Sequence, residues 1–130
     1  ENPMTRISTT LIMMAALIVP GVSFAGGDVE AGNAKFQALC VSCHGAEGKG
    51  DGPTGKALAA AGQPAPRDFA VGDFQLDTDG DGTPGTDADL KNVISKGAMA
   101  YGGSAMMAPI AGLSDADLDN LVAFIRSLKQ

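Results

Sequence analysis

Cys40-Val41-Ser42-Cys43-His44 is the stretch on which the reading of this chain turns. Two thiols separated by two residues, with an imidazole directly after the second, form the attachment signature of c-type haem. The spacing suits the chemistry. Two thiols add to the two vinyl groups on neighbouring edges of one porphyrin, and the adjacent His falls under the iron as its proximal ligand. The chain has two Cys and one His, so this pentapeptide holds all three. A redox Cys-x-x-Cys would not need the His that follows, and a zinc site would need more ligands than remain. A Ser-His-Asp enzyme is equally hard to build with one His. Cys40 and Cys43 are therefore expected as thioethers, not as a disulfide.

One His supplies one axial ligand, and a Met thioether is the common partner on the other face of such an iron. Six Met are present. Met4, Met13 and Met14 lie near the start, which leaves Met99, Met106 and Met107. Met107-Ala108-Pro109 stands just before the last helical pattern, after the Gly102-Gly103 pair, where a loop can fold across the far haem face and Pro109 stiffens it. Met107 is the first choice for the sixth ligand, Met106 the second and Met99 the third. The competing role for these side chains is core filling.

The chain has 130 residues, enough for one small domain with a modest core. Such domains usually recruit a disulfide set, a metal or a cofactor for stability. A net charge of −6 speaks against nucleic acid as a partner. Residues 1–25 read as a secretory signal. Met4-Thr5-Arg6 is its short positive start, residues 11–19 (LIMMAALIV) its apolar run, and Ser23-Phe24-Ala25 its small-residue end. Cleavage is expected between Ala25 and Gly26, leaving residues 26–130 as the haem domain. The other reading of 1–25 is an uncleaved anchor, although the run is short for a membrane span. Either way the domain is expected to be exported, in the periplasm or its equivalent.

The rest of the chain reads as helices. Asp28 can cap a first helix through about Leu39, with Phe36 and Leu39 on one side. Thr86 can cap a second over residues 87–96, with Leu90, Val93 and Ile94 inward and Gly97 as its stop. Ser114-Asp115-Ala116-Asp117 resembles a capping box, and Leu118, Leu121, Val122, Ile125 and Leu128 then recur at helical spacing. Nothing reads as a substantial strand. Two stretches imitate other sites. Residues 50–56 match the first part of a phosphate-binding loop, but Ala57 stands where Ser or Thr belongs and no strand leads in, so a flexible loop beside the haem is expected. Asp77, Asp79 and Asp81 precede Gly82 as in a calcium loop, but Ala88 occupies the twelfth position. Calcium could bind through these three carboxylates and the Thr83 carbonyl; a solvated acidic turn is the preferred reading.

With these residues in view, the chain resembles the class I cytochromes c, small proteins with one haem. The resemblance covers residues 28–129. It rests on residues 40–45, on residues 48–53 (GKGDGP), on Pro66-Arg67-Asp68-Phe69, on Asp89-Leu90 with Ile94 and Gly97, on Met107-Ala108-Pro109, and on Leu113-Ser114-Asp115. It implies an all-α fold of three to four helices wrapped around one covalent haem c. It also implies that Gly32 and Phe124 meet where the first and last helices cross. Met107 is favoured over Met106 on the same ground. A Pro carbonyl usually accepts the Nδ1–H of the proximal His in this family; Pro66 is the candidate, with Pro64 and Pro53 behind it. The acidic loop departs from the family pattern, and Phe124 stands where many relatives have Tyr.

The expected function is one-electron carriage between redox proteins, a donor and an acceptor, rather than catalysis. The alternative is a haem-based sensor with a labile sixth ligand. Peroxidase-like chemistry would want a second His or an Arg cluster, and beyond residue 25 only Arg67 and Arg126 are arginines. Membrane contact is expected only through a redox complex or an uncleaved signal. The net charge of −6 would steer a basic docking surface and lose its effect with salt.

Overall fold

The computed structural model describes residues 26–130; the expected signal at 1–25 lies outside the described residues. Five α-helices follow in order: α1 (Val29–Leu39), α2 (Val41–His44), α3 (Pro53–Ala60), α4 (Asp87–Lys96) and α5 (Asp115–Ser127). A 3₁₀ turn (Ala98–Tyr101) follows α4, and no described residue is in a strand. The all-α class is as expected, with more helices than the three to four anticipated.

Three of these helices start where local chemistry says they must. Asp28 Oδ1 accepts the N–H groups of Glu30 and Ala31 at 2.8 and 3.0 Å. Thr86 and Asp89 form a reciprocal capping box on α4, and Ser114 and Asp117 form another on α5. The other two are short. Helix α2 is the haem motif itself, wound into one turn. Helix α3 corrects the flexible loop expected at 50–56. Pro53 opens it with a preset φ, and Gly55 sits inside it. Glycine in a helix costs about 1 kcal/mol relative to alanine. Here a Cβ at Gly55 would stand 2.3 Å from the Cys43 carbonyl oxygen, so only glycine seats α3 against α2.

Helices α1 and α5 cross in the core. A Cβ at Gly32 would lie 1.9 Å from the Asn120 carbonyl oxygen and 2.9 Å from Phe124 Cβ, so the two backbones meet at the expected pair. Asp28 N–H donates to Asn120 Oδ1 at 2.7 Å, and Lys35 pairs with Asp117 at 3.0 Å. Phe36 is fully buried there, its ring 5.1 Å from that of Phe124. Helix α4 lies against α5 through Leu90, Ile94, Leu118 and Leu121. Lys91 with Asp119, and Arg126 with Asp87, tie the outer edge of that contact. This frame leaves a cleft between α2–α3 on one side and α4 with the loop after it on the other. No helix of the described residues is long and apolar enough to cross a membrane.

Candidate functional site

The haem motif forms one wall of the cleft. Cys40 closes α1, its N–H donating to the Phe36 carbonyl at 2.8 Å, and its own carbonyl accepts from His44 N–H at 3.0 Å. That single turn aims Cys40, Cys43 and His44 into the same cleft. Both thiols are free. Burial, and then the neighbouring Cys43, push the Cys40 thiol up to about 11, which keeps it protonated and slow in disulfide exchange.

His44 is held by aromatic rings. Its imidazole stacks on Phe69, centroids 4.7 Å apart and planes 23° apart, with Phe36 at 6.3 Å. The loop after the motif delivers Phe69: Gly50 N–H donates to the His44 carbonyl at 2.8 Å, and Phe69 N–H to the Gly48 carbonyl at 2.8 Å. Burial lowers the His44 pKa, against a smaller opposing effect from the Arg67 backbone. The ring is therefore neutral near pH 7, the state in which imidazole binds metals. Nδ1 is buried, and no acceptor meets it in hydrogen-bond geometry, although the Arg67 backbone is near. Pro66 and Pro64 both line the cleft, while Pro53 begins α3.

The opposite wall is α4 and the loop after it. Gly97 turns the chain at φ 81°, with its missing Cβ 2.8 Å from Pro109 Cδ. Ala98 N–H donates to the Met107 carbonyl at 3.0 Å, and Ile110 N–H to the Ile94 carbonyl at 2.9 Å. These bonds fasten Met107 on both sides. Its side chain is partly buried and packs on the core, whereas Met106 is 46 % exposed and Met99 70 % exposed. Met106 and Met107 line the cleft; Met99 does not. Between the walls is a space of about 690 Å³, bounded by Leu90, Val93, Ile94 and Ile125. It falls within the ~300–1,000 Å³ of small-molecule and cofactor pockets. Two free thiols on one turn, a neutral imidazole between them and the core, a thioether opposite and an apolar lining suit a covalently held haem.

The acidic loop has a different centre from the one expected. Asp77, Asp79 and Asp89 bring carboxylate oxygens within 4.8 Å of one another, while Asp81 turns to the Thr83 N–H at 2.6 Å. Asp89 is 1 % exposed. Its Oδ1 accepts the Thr78 N–H and hydroxyl, and its Oδ2 accepts those of Thr86. Four donors hold it far below the usual carboxylate range. Asp77 likewise accepts Gly80 N–H at 2.7 Å and Gly82 N–H at 2.9 Å. These carboxylates are engaged in shaping the loop.

Two residues that carried the resemblance, Phe69 and Asp89, have structural roles that their local sequence did not reveal. Phe69 was one of five Phe with no local pattern to mark it as the ring beneath His44. Asp89 stood beside Leu90 in the resemblance, but it was not read as a partner of Thr86 or of Thr78.

Residues 29–129 match the family model for cytochrome c. The chain belongs to the cytochrome c family. This cytochrome is 38% identical over 104 residues to cytochrome c-554(547) of Halothiobacillus neapolitanus, a match covering 79% of this chain and 99% of that protein. It is also similar to a solved chain of the Kuenenia stuttgartiensis reducing HAO-like protein complex. The TM-score is 0.59 and the identity 28%, covering 78% of this chain and 43% of that one. The cytochrome thus spans less than half of that neighbour's length. Family membership carries covalently bound haem c and electron transfer with redox partners.

Proposed function

We propose that this cytochrome is a one-electron carrier between a donor and an acceptor protein in an exported compartment. Cys40 and Cys43 would hold one haem as thioethers, and His44 and Met107 would ligate its iron. The observation that carries this reading is the single cleft onto which all four side chains converge, with Met107 tucked against the core and its rivals exposed.

When bound, the haem supplies an iron that changes by one electron between ferric and ferrous states. The chain's own residues set the conditions. Burial keeps His44 unprotonated and so free to ligate. The Pro66 carbonyl is the proposed acceptor for its Nδ1–H, which is buried and without a partner of its own, and that bond would fix the ring's orientation. The Ala98 N–H keeps the Met107 backbone in place. Leu90, Val93 and Ile94 exclude water, which disfavours added positive charge and raises the reduction potential. Two protein ligands leave no position for a substrate.

The test is the visible spectrum of the haem-loaded ferric protein, wild type against Met107→Ala. The weak red-edge charge-transfer band of a thioether-ligated ferric iron is expected in wild type and lost in the variant. Its survival would move the ligand to Met106 or Met99. A wild-type protein without the band, whose ferrous form takes up carbon monoxide readily, would favour a sensor.

A further inference from the structure

The charges of this chain avoid one part of it. Residues 36–46, 57–66 and 97–114 contain no Asp, Glu, Lys or Arg. All 14 acids and 8 bases of residues 26–130, the chain's 15 and 9 less Glu1 and Arg6, lie elsewhere. These three charge-free segments come together around the cleft. Leu39 and Ser42 come from the first, Pro64 and Ala65 from the second, Met106 and Ala108 from the third; all six are exposed and line it. Of the five large apolar side chains that stand exposed among the described residues, Leu39, Met99 and Met106 are in these segments. The other charged residues on the cleft do not alter its balance. Arg67 and Asp68 are opposite in sign, and Arg67 is bonded to Gln75 Oε1 at 2.6 Å. Asp89 is buried with both oxygens occupied.

We propose that the mouth of the cleft is a docking surface for a redox protein that presents an uncharged, apolar face. The proposal rests on the carrier reading above and names the chemistry of its partner. Charge complementarity gives the argument. A basic face set against this collar would find one exposed carboxylate, Asp68, with Arg67 directly beside it, and would lose hydration for little return. An apolar face buries Leu39 and Met106 instead, and interface centres are depleted of charge and enriched in Met. The net charge of −6 comes from residues outside the three segments, and ions screen any of it lying beyond a Debye length of about 8–10 Å at 0.10–0.15 M salt. The position of the charges, not their sum, then governs the encounter.

The test uses the reduced, haem-loaded protein and two small oxidants of opposite charge: hexacyanoferrate(III), a trianion, and tris(phenanthroline)cobalt(III), a trication. Each rate is followed by stopped flow from 100 to 500 mM salt, where the Debye length is at most about 10 Å. With an uncharged mouth, both rates change less than about threefold across the series. If the whole −6 governs, the anion's rate climbs and the cation's falls, each by more than about tenfold, and the proposal is overturned. Two variants sharpen the result. Ala65→Lys alters the net charge by one at the cleft; Glu30→Lys alters it by two on exposed α1, away from the cleft. The first is expected to speed hexacyanoferrate more than the second at 100 mM salt; the reverse order counts against the proposal. Concentration-dependent dimerisation through the collar, read by sedimentation, would replace the partner with a second copy. Failure of both oxidants to accept an electron would overturn the carrier reading itself, which separates the two.

Discussion

Helix α4 carries a loop at each end, and the two are fastened by opposite means. The loop before it, residues 73–86, is held by carboxylates: Asp77 and Asp81 bind backbone N–H groups within it, and Asp89 reaches back to Thr78 and Thr86. The loop after it, residues 97–114, has no charge and is held by backbone bonds such as Ala98 to Met107 and Ile110 to Ile94. Arg126 adds a clamp to the first loop only, donating to the Gly85 carbonyl at 2.5 Å and lying 5.2 Å from the Phe74 ring. The first loop therefore keeps its shape by side-chain bonds, its own and those of Asp89 and Arg126. The second spends its side chains on the cleft and its mouth. One is a rigid brace; the other is the working edge.

The comparison predicts unequal responses to mutation. Asp89→Ala is expected to have the largest effect, because it strands four donors of Thr78 and Thr86 in a part-buried site. A loss of roughly 10 °C or more in Tm is expected by differential scanning calorimetry of the haem-loaded protein. A small change would mean that water replaces the carboxylate and that the brace is not rigid. Gly97→Ala comes next. Its φ of 81° with ψ of 150° is a conformation open essentially to glycine, and an added methyl would meet Pro109. A cost of about 1–3 kcal/mol in denaturant unfolding is expected, together with a weakened thioether band as the Met107 backbone shifts. An unchanged band would uncouple the turn from the ligand.

Acid should act on the first loop more than the second. The Asp89 carboxyl titrates well below its unfolded value, so its contribution is fully present above the ordinary carboxylate range. It is lost as pH falls from about 4 toward the folded value. Wild-type unfolding curves between pH 5 and 2 should show that loss, and Asp89→Asn should show a shallower one. Asp117, held down to about 2 by the Ser114 N–H and Lys35, adds in the same direction and remains in the variant. Equal slopes for the two proteins would move the acid sensitivity elsewhere. The smallest effect belongs to Met106→Leu: less than about 0.5 kcal/mol, with the band intact. Loss of the band in that variant would exchange the roles of the two Met.

What the sequence disclosed follows the same division. The caps at Asp28, Thr86 and Ser114 were legible because each is a bond spanning two or three residues. The haem motif was legible because its chemistry is confined to five. The Gly32–Phe124 crossing was reached by resemblance, and the close approach of α1 to Asn120 supports it. Helix α3 was hidden, since Gly52, Pro53 and Gly55 read as breakers; its stability comes from the space Gly55 leaves for the Cys43 carbonyl. The Asp89–Thr78 bonds span eleven residues, and the Phe69–His44 stack spans more. Neither leaves a periodic trace. The net charge was plain to count, whereas its exclusion from the cleft appeared only once three distant segments met.

The seat of His44 against two aromatic rings has one more consequence. Phe69 and Phe36 touch each other edge to face, centroids 6.2 Å and planes 66° apart, and both touch the imidazole. Three packed rings cannot slide without moving α1, so the imidazole shifts little when a charge beside it appears or disappears. Were His44 to ligate iron as proposed, the nuclear rearrangement accompanying each electron exchange would be correspondingly small, and exchange would gain speed in both directions from a ligand that scarcely has to move.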